Sequence, residues 1–275
     1  MQAQPTAGSR DRAGEALADV LAIINDPEQL AEDVALATIA AVLNPDAPCR
    51  RWSLSNRLLM LRAGTFDARG FKQWKEAGRS VVKGARAFYI LGPRTVTKTE
   101  TDAVTGEERK GTILVGFVAI PVFAYQATDG ADIGYPDSFE PSQLPPLLDV
   151  AERLGVSVKW VPTVVTHAEQ ALGWYQHSSR SIVLGVEDAA VFFHELAHAA
   201  HYAAGLADKR DRKRKELVAE TVAAALCQMY GHPVTQRHRR YLEQHADERD
   251  AQKAALAVLH DIEATLDVIF PREQA

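Results

Sequence analysis

The residues best suited to chemistry lie in the string VFFHELAHAAH, positions 191–201. On a helix, residues four apart sit one turn apart on the same face, so the imidazoles of His194 and His198 can reach one tetrahedral ion. Zn2+ is the ion this pair predicts. Glu195, beside the first ligand, can reach a metal-bound water and act as its general base. Val191, Phe192, Phe193, Leu196, Ala197, Ala199 and Ala200 make the rest of the segment apolar. Ionisable groups buried among them without a partner would be costly, and a metal supplies that partner.

A third ligand is needed. The position six beyond His198, where one large class of such enzymes has a histidine, is Ala204. His201 is expected on the surface, just outside the ligand shell. Further on, KELVAET carries Glu216 and Glu220 one helical turn apart. The preferred assignment makes Glu216 the ligand and Glu220 an acceptor for a ligand imidazole N–H, with the reverse left open. This arrangement resembles the glutamate-ligand zinc metallopeptidases, with glutamate in place of their usual second aspartate. The resemblance implies a His or Tyr that polarises the substrate. Tyr175, His177 and Tyr202 are candidates. Tyr175 is preferred because it precedes a strand, SIVLG, against which an extended substrate could lie.

The elements that must position these side chains follow from periodicity. Apolar residues recur at helical spacing from Gly14 to Leu43, with a break at Asn25-Asp26-Pro27, and again from Ser53, a candidate cap, to Ala63. Strand patterns fill AFYILGP, VTKTET and TILVGFVAIPVFAYQ, with VTGEE as a hairpin turn. A stretch rich in Gly, Pro, Asp and Ser suits a linker. Beyond it come a helix at 147–154, a strand candidate VSVKWVPTVV, and two short strands in WYQHSSRSIVLG. Helices at 188–204, 214–230 and 235–268 complete the chain. The expected fold is α+β in two domains: N-terminal helices with a small antiparallel sheet, then a mainly helical, zincin-like domain with a small sheet. The boundaries are a disordered tail at 1–12, a first domain at 13–130, a linker at 131–145 and a second domain at 146–275.

An apolar fraction of 47% over 275 residues allows one large core or two modest ones. No run approaches the roughly 18–20 apolar residues of a membrane span. The polar start MQAQPTAGSR lacks the apolar core of a signal peptide, so a cytoplasmic protein without membrane partners is expected. Cys49 and Cys227 read as two buried thiols.

Charge is unevenly placed. Between Arg50 and Lys98 there are 12 Lys or Arg against Asp67 and Glu76, although the whole chain carries -5. Such a basic block can hold phosphates locally. Trp52, Phe71, Trp74, Phe88 and Tyr89 are interleaved with it as candidate stacking platforms for single-stranded DNA. The candidate contacts are Arg50, Arg51, Trp52, Ser53, Asn56, Arg57, Lys72, Trp74, Arg79, Lys83 and Arg86.

Five blocks in order, WSLSNRLLM, FKQWKEAGRSVVKGARAFYILGP, PVFAYQATDG, HELAHAAH and KRKELVAET, resemble the ArdC-like antirestriction proteins, a family that includes the N-terminal part of plasmid conjugative primases. An aromatic, Ser and Asn of the family pattern fall on Trp52, Ser53 and Asn56. Its W-x-x-x-G-x-x-V-x-K-G block falls on Trp74, Gly78, Val81, Lys83 and Gly84. Val122, Phe123 and Gln126 match a third block with two residues before the Gln instead of three. The resemblance implies an N-terminal single-stranded-DNA-binding domain joined to a zinc-peptidase-like domain, carried by mobile elements and protecting incoming DNA from restriction. The leading expectation is therefore a DNA-associated zinc metallopeptidase, a hydrolase cutting an unidentified protein. Two alternatives stand beside it: a non-enzymatic DNA-binding shield with a structural zinc, and a stress-response metallopeptidase that cleaves a repressor.

Overall fold

A computed structural model of the chain describes residues 7–44, 46–101, 108–134, 147–161, 172–234 and 248–272. Two helices come first, α1 (Ala7–Ile24) and α2 (Pro27–Leu43). They break where expected, at Asp26, whose carboxylate accepts from Gln29 N while Pro27 opens α2. Helix is already formed at Ala7, inside the stretch expected to be a tail. A short 3-10 turn at Pro48–Arg51 leads to α3 (Leu54–Arg62). Ser53 precedes α3 without capping it through its side chain; its hydroxyl pairs with that of Ser55 at 2.9 Å.

The first sheets follow from β1 (Ala68–Arg69), α4 (Phe71–Glu76), β2 (Arg79–Val81), β3 (Phe88–Thr101), β4 (Glu108–Ala124) and β5 (Thr128–Gly130). β3 and β4 form a long antiparallel hairpin, extended by β1 in the order β1-β4-β3, while β2 pairs with β5. The expected turn in VTGEE and most of the expected linker lie outside the described residues.

The second half contains α5 (Leu148–Arg153), β6 (Ser157–Trp160), β7 (Gly173–Gln176), β8 (Ser181–Leu184), α6 (Ala189–Ala203), α7 (Arg212–Tyr230) and α8 (Glu248–Ile269). β8 is central, parallel to β6 and antiparallel to β7. The architecture is α+β as expected: helices and a sheet in the N-terminal region, then a mainly helical region with a small sheet. The strand candidate VSVKWVPTVV ends at Trp160, and its last residues, like 235–247 of the final expected helix, fall outside the described set.

The principal core is shared by both halves. Val20, Val34 and Leu58 from the first three helices join Phe193, Leu226 and Ile262 from the last three in one buried cluster. Burying such side chains contributes about 1.5–3 kcal/mol each. A smaller cluster of Cys49, Met60, Ala68, Ile90 and Val122 lies under the hairpin, with Trp52 and Phe88 against it. Both cysteines are buried free thiols, raised by desolvation to about 12 for Cys49 and about 11 for Cys227.

Candidate metal centre and basic surface

α6 starts where Asp188 accepts from Ala190 N at 2.8 Å. α7 starts where Asp211 accepts from Arg214 N at 2.9 Å, and it ends at Gly231 in the left-handed conformation. The two helices pack together, which brings Glu216, on the second turn of α7, to the His pair of α6. The imidazole Nε2 atoms of His194 and His198 are 3.2 Å apart, and a Glu216 carboxylate oxygen lies 3.5 Å from the first and 3.6 Å from the second. Among the described residues this is the one cluster whose donor atoms could hold a metal ion. Donors about 2.1 Å from a common ion stand roughly 3.0 Å apart at octahedral angles and 3.4 Å apart at tetrahedral ones. The observed edges of 3.2–3.6 Å lie around the tetrahedral value, and two imidazoles with one carboxylate suit several divalent transition metals.

The electrostatics bind the trio together. Hydrogen bonds from His194 and His198 hold the Glu216 carboxyl far below its usual range. Burial acts to lower His194, but the Glu216 hydrogen bond and the charges of Glu195, Glu216 and Glu220 outweigh it and leave the imidazole raised. Glu220 is thus close enough to act on His194, while the converging carboxylate is that of Glu216. Glu195 is buried and raised by desolvation, partly offset by the two imidazoles and a hydrogen bond from the Tyr175 backbone.

A cavity of about 410 Å³ opens over the cluster. Its walls include Tyr175, Tyr202, Trp174, Arg212 and Lys215. β7 comes this close to α6 because residue 173 is glycine: a Cβ there would stand 2.7 Å from Val191 Cγ1. The Tyr175 hydroxyl is 3.4 Å from His177 Nδ1, and the His177 ring stacks on Tyr202 with centroids 4.2 Å apart. Arg212 and Lys215 were missed as cavity residues. The signal was present, since Arg212 precedes Glu216 by one helical turn.

His201 is corrected from surface to core. Its side chain is 1% exposed and faces Asp261 at 3.8 Å. Asp261 in turn accepts from Arg210 at 2.7 and 3.0 Å and from Arg214 at 2.7 Å. Helical geometry explains the placement: His201 follows His198 by three residues, and α8 covers that part of α6.

The residues of the basic block divide by environment. Asn56, Arg57, Trp74 and Arg79 are buried with internal partners. Asn56 bonds both backbone groups of Leu91, and Arg57 donates to Ala37 O and Glu263. Trp74 Nε1 donates to Phe123 O, and Arg79 donates to Thr128 and Gly130 while lying 4.1 Å over the Tyr125 ring. Ser53, Arg51, Lys72, Lys83 and Arg86 are exposed, whereas Arg50 and Trp52 are half-buried. Phe71, 61% exposed, is the most open large apolar side chain of the described residues.

Residues 34–123 match the N-terminal domain of anti-restriction factor ArdC. No curated protein matches the chain. Two similar solved structures are of the antirestriction ArdC protein from plasmid R388, one metal-free and one Mn(II)-bound. Both are 18% identical to this chain and cover 79% of it. The match spans 84% of the metal-free chain with a TM-score of 0.47, and 87% of the Mn(II)-bound chain with a TM-score of 0.45.

These findings correct two expectations. The zinc-metallopeptidase reading is not upheld: residues 34–123 match a domain of an anti-restriction factor, and the side chains that converge are His194, His198 and Glu216. The assignment of Zn2+ falls as well, because two imidazoles and one carboxylate select no single metal. No helix of the described residues is long and apolar enough to cross a membrane.

Proposed function

We propose that this protein is a non-enzymatic antirestriction protein of the ArdC type, which shields single-stranded DNA and whose α6 and α7 are tied by a divalent transition metal. The match of residues 34–123 to the N-terminal domain of anti-restriction factor ArdC carries the reading. Exposed Arg51, Lys72, Lys83 and Arg86, together with exposed Phe71, support it. Cations on phosphates and an aromatic face for bases hold a single strand without reading its sequence. The buried members of the basic block support the same function indirectly by fastening the hairpin and small sheets that carry the exposed ones.

His194, His198 and Glu216 would hold the metal. Its contribution here is a cross-link between two helices, which adds binding free energy to folding free energy. Mn(II), the ion bound in one of the two similar structures, is compatible with this donor set. No protein substrate is required.

The test pairs two variants in a plasmid-transfer assay into a restricting host, with oligonucleotide binding measured alongside. Lys72→Glu/Arg86→Glu is expected to lose protection and to lower the salt slope of single-strand binding by about 0.7 for each phosphate contact removed. Glu195→Gln is expected to keep both activities. Loss of protection in Glu195→Gln, with folding and oligonucleotide binding intact, would sink the non-enzymatic reading.

A further inference from the structure

We propose that the cavity above His194, His198 and Glu216 is an oxyanion site in which Arg212 and Lys215 bind a phosphate monoester. The inference rests on the metal occupancy proposed above and goes beyond a structural role for it. Three protein donors leave part of a metal's coordination shell facing the cavity. A divalent ion offsets Glu216 and retains one positive charge, which Glu195 balances across the cavity floor. Arg212 and Lys215, both on the cavity wall, then leave the lining residues with a surplus of about two positive charges, while Glu220 acts on His194 from outside that lining. A phosphate monoester carries about that charge with opposite sign at neutral pH, whereas a carboxylate carries half of it.

The cationic wall is also held in place. Arg212 and Lys215 stand on the first turn of α7, just ahead of Glu216, and Lys215 Nζ lies 5.6 Å from the centroid of the Tyr202 ring. Trp174, 46% exposed, lines the same cavity and offers a flat face beside the phosphate position. The phosphate could belong to the 5′ end of a DNA strand or be free. The Trp174 face favours the DNA end, because a base next to that phosphate could stack there.

The experiment uses the full chain loaded with Mn(II), with metal binding followed by electron paramagnetic resonance. Phosphorus-31 relaxation is recorded for inorganic phosphate, a 5′-phosphorylated oligonucleotide and its 5′-hydroxyl counterpart. The expected result is strong enhancement at the monoester phosphorus that falls about tenfold or more in Arg212→Gln/Lys215→Gln, with Mn(II) still bound. Greater enhancement for the phosphorylated oligonucleotide than for inorganic phosphate, lost in Trp174→Ala, identifies the DNA end as the source; equal enhancement identifies free phosphate. Bound Mn(II) with no enhancement, or with enhancement unchanged in the double variant, overturns the oxyanion site and leaves the metal reading standing. If no Mn(II) binding depends on His198, both fall.

Discussion

Asn56 grips Leu91 by both ends of its amide: Nδ2 donates to Leu91 O at 2.9 Å, and Oδ1 accepts from Leu91 N at 2.8 Å. A side chain thereby completes the backbone pairing of β3 and fastens the hairpin to α3. Both residues are buried, so removing the amide leaves a donor and an acceptor without water. Asn56→Ala should cost about 2–4 kcal/mol of folding stability in chemical denaturation. A cost near zero would mean that the hairpin is held by other contacts.

Buried Arg57 pairs with half-buried Glu263 at 3.3 Å, and desolvation lowers the Arg57 guanidinium from its ordinary value. Arg272 also reaches Glu263, at 2.8 Å, so the carboxylate keeps a partner when Arg57 is removed. The other hydrogen-bond partner of Arg57 is neutral, the carbonyl of Ala37. Glu263→Leu should therefore destabilise by about 3 kcal/mol or more, and Arg57→Met by clearly less. Thermal melts of the two single variants and the double variant would decide it, and the reverse ranking would refute the argument.

Burial lowers His201 to about 4, against the attraction of Asp261 on α8 and with repulsion from His198, Arg210 and Arg214. The ordinary imidazole value is 6.5, so between these limits the unfolded chain takes up a proton that the folded chain refuses. Stability contributed by the neutral ring is complete above pH 6.5 and declines as the pH falls toward 4, by about 3 kcal/mol in all. His201→Leu should flatten this part of the stability curve. Asp261, whose carboxyl its two arginines hold below the usual value of 3.8, adds its own loss only below that window. An unchanged slope in His201→Leu would assign the pH dependence elsewhere.

A divalent metal that binds the folded chain at 100 times its dissociation constant should add about 2.7 kcal/mol of stability. Wild-type protein treated with a chelator should melt earlier and recover on adding Mn(II). His198→Ala and Glu216→Gln should melt at the same temperature with and without Mn(II). Equal metal-dependent shifts in wild type and both variants would place the ion at another position.

Much of this was legible along the chain because it depends on local periodicity. Asp26-Pro27 ends one helix and starts the next through backbone chemistry alone, and the four-residue spacing of His194 and His198 places both rings on one face of α6. Strand patterns in AFYILGP, VTKTET and TILVGFVAIPVFAYQ pointed to the sheet, but the first two form one strand, β3, paired along its length with β4. Ser53 shows where local chemistry misleads: its hydroxyl suits a cap, but Ser55 supplies a competing partner two residues away.

Long-range packing decided the rest. A run of cations and aromatics does not distinguish side chains that face solvent from those that tie elements together; Lys72 is 90% exposed while Trp74, two residues on, is fully buried. His201 illustrates the same limit, since only the docking of α8, some 50–60 residues later, turns a helix-surface position into a buried one beside Asp261. The sequence by itself determined which residues could share a helix face and therefore the pair His194 and His198. Tertiary structure brought Glu216, already preferred over Glu220 along the chain, to the His pair and placed Arg212 and Lys215 at the same cavity, because the angle and register of α7 against α6 depend on apolar contacts spread over the whole core.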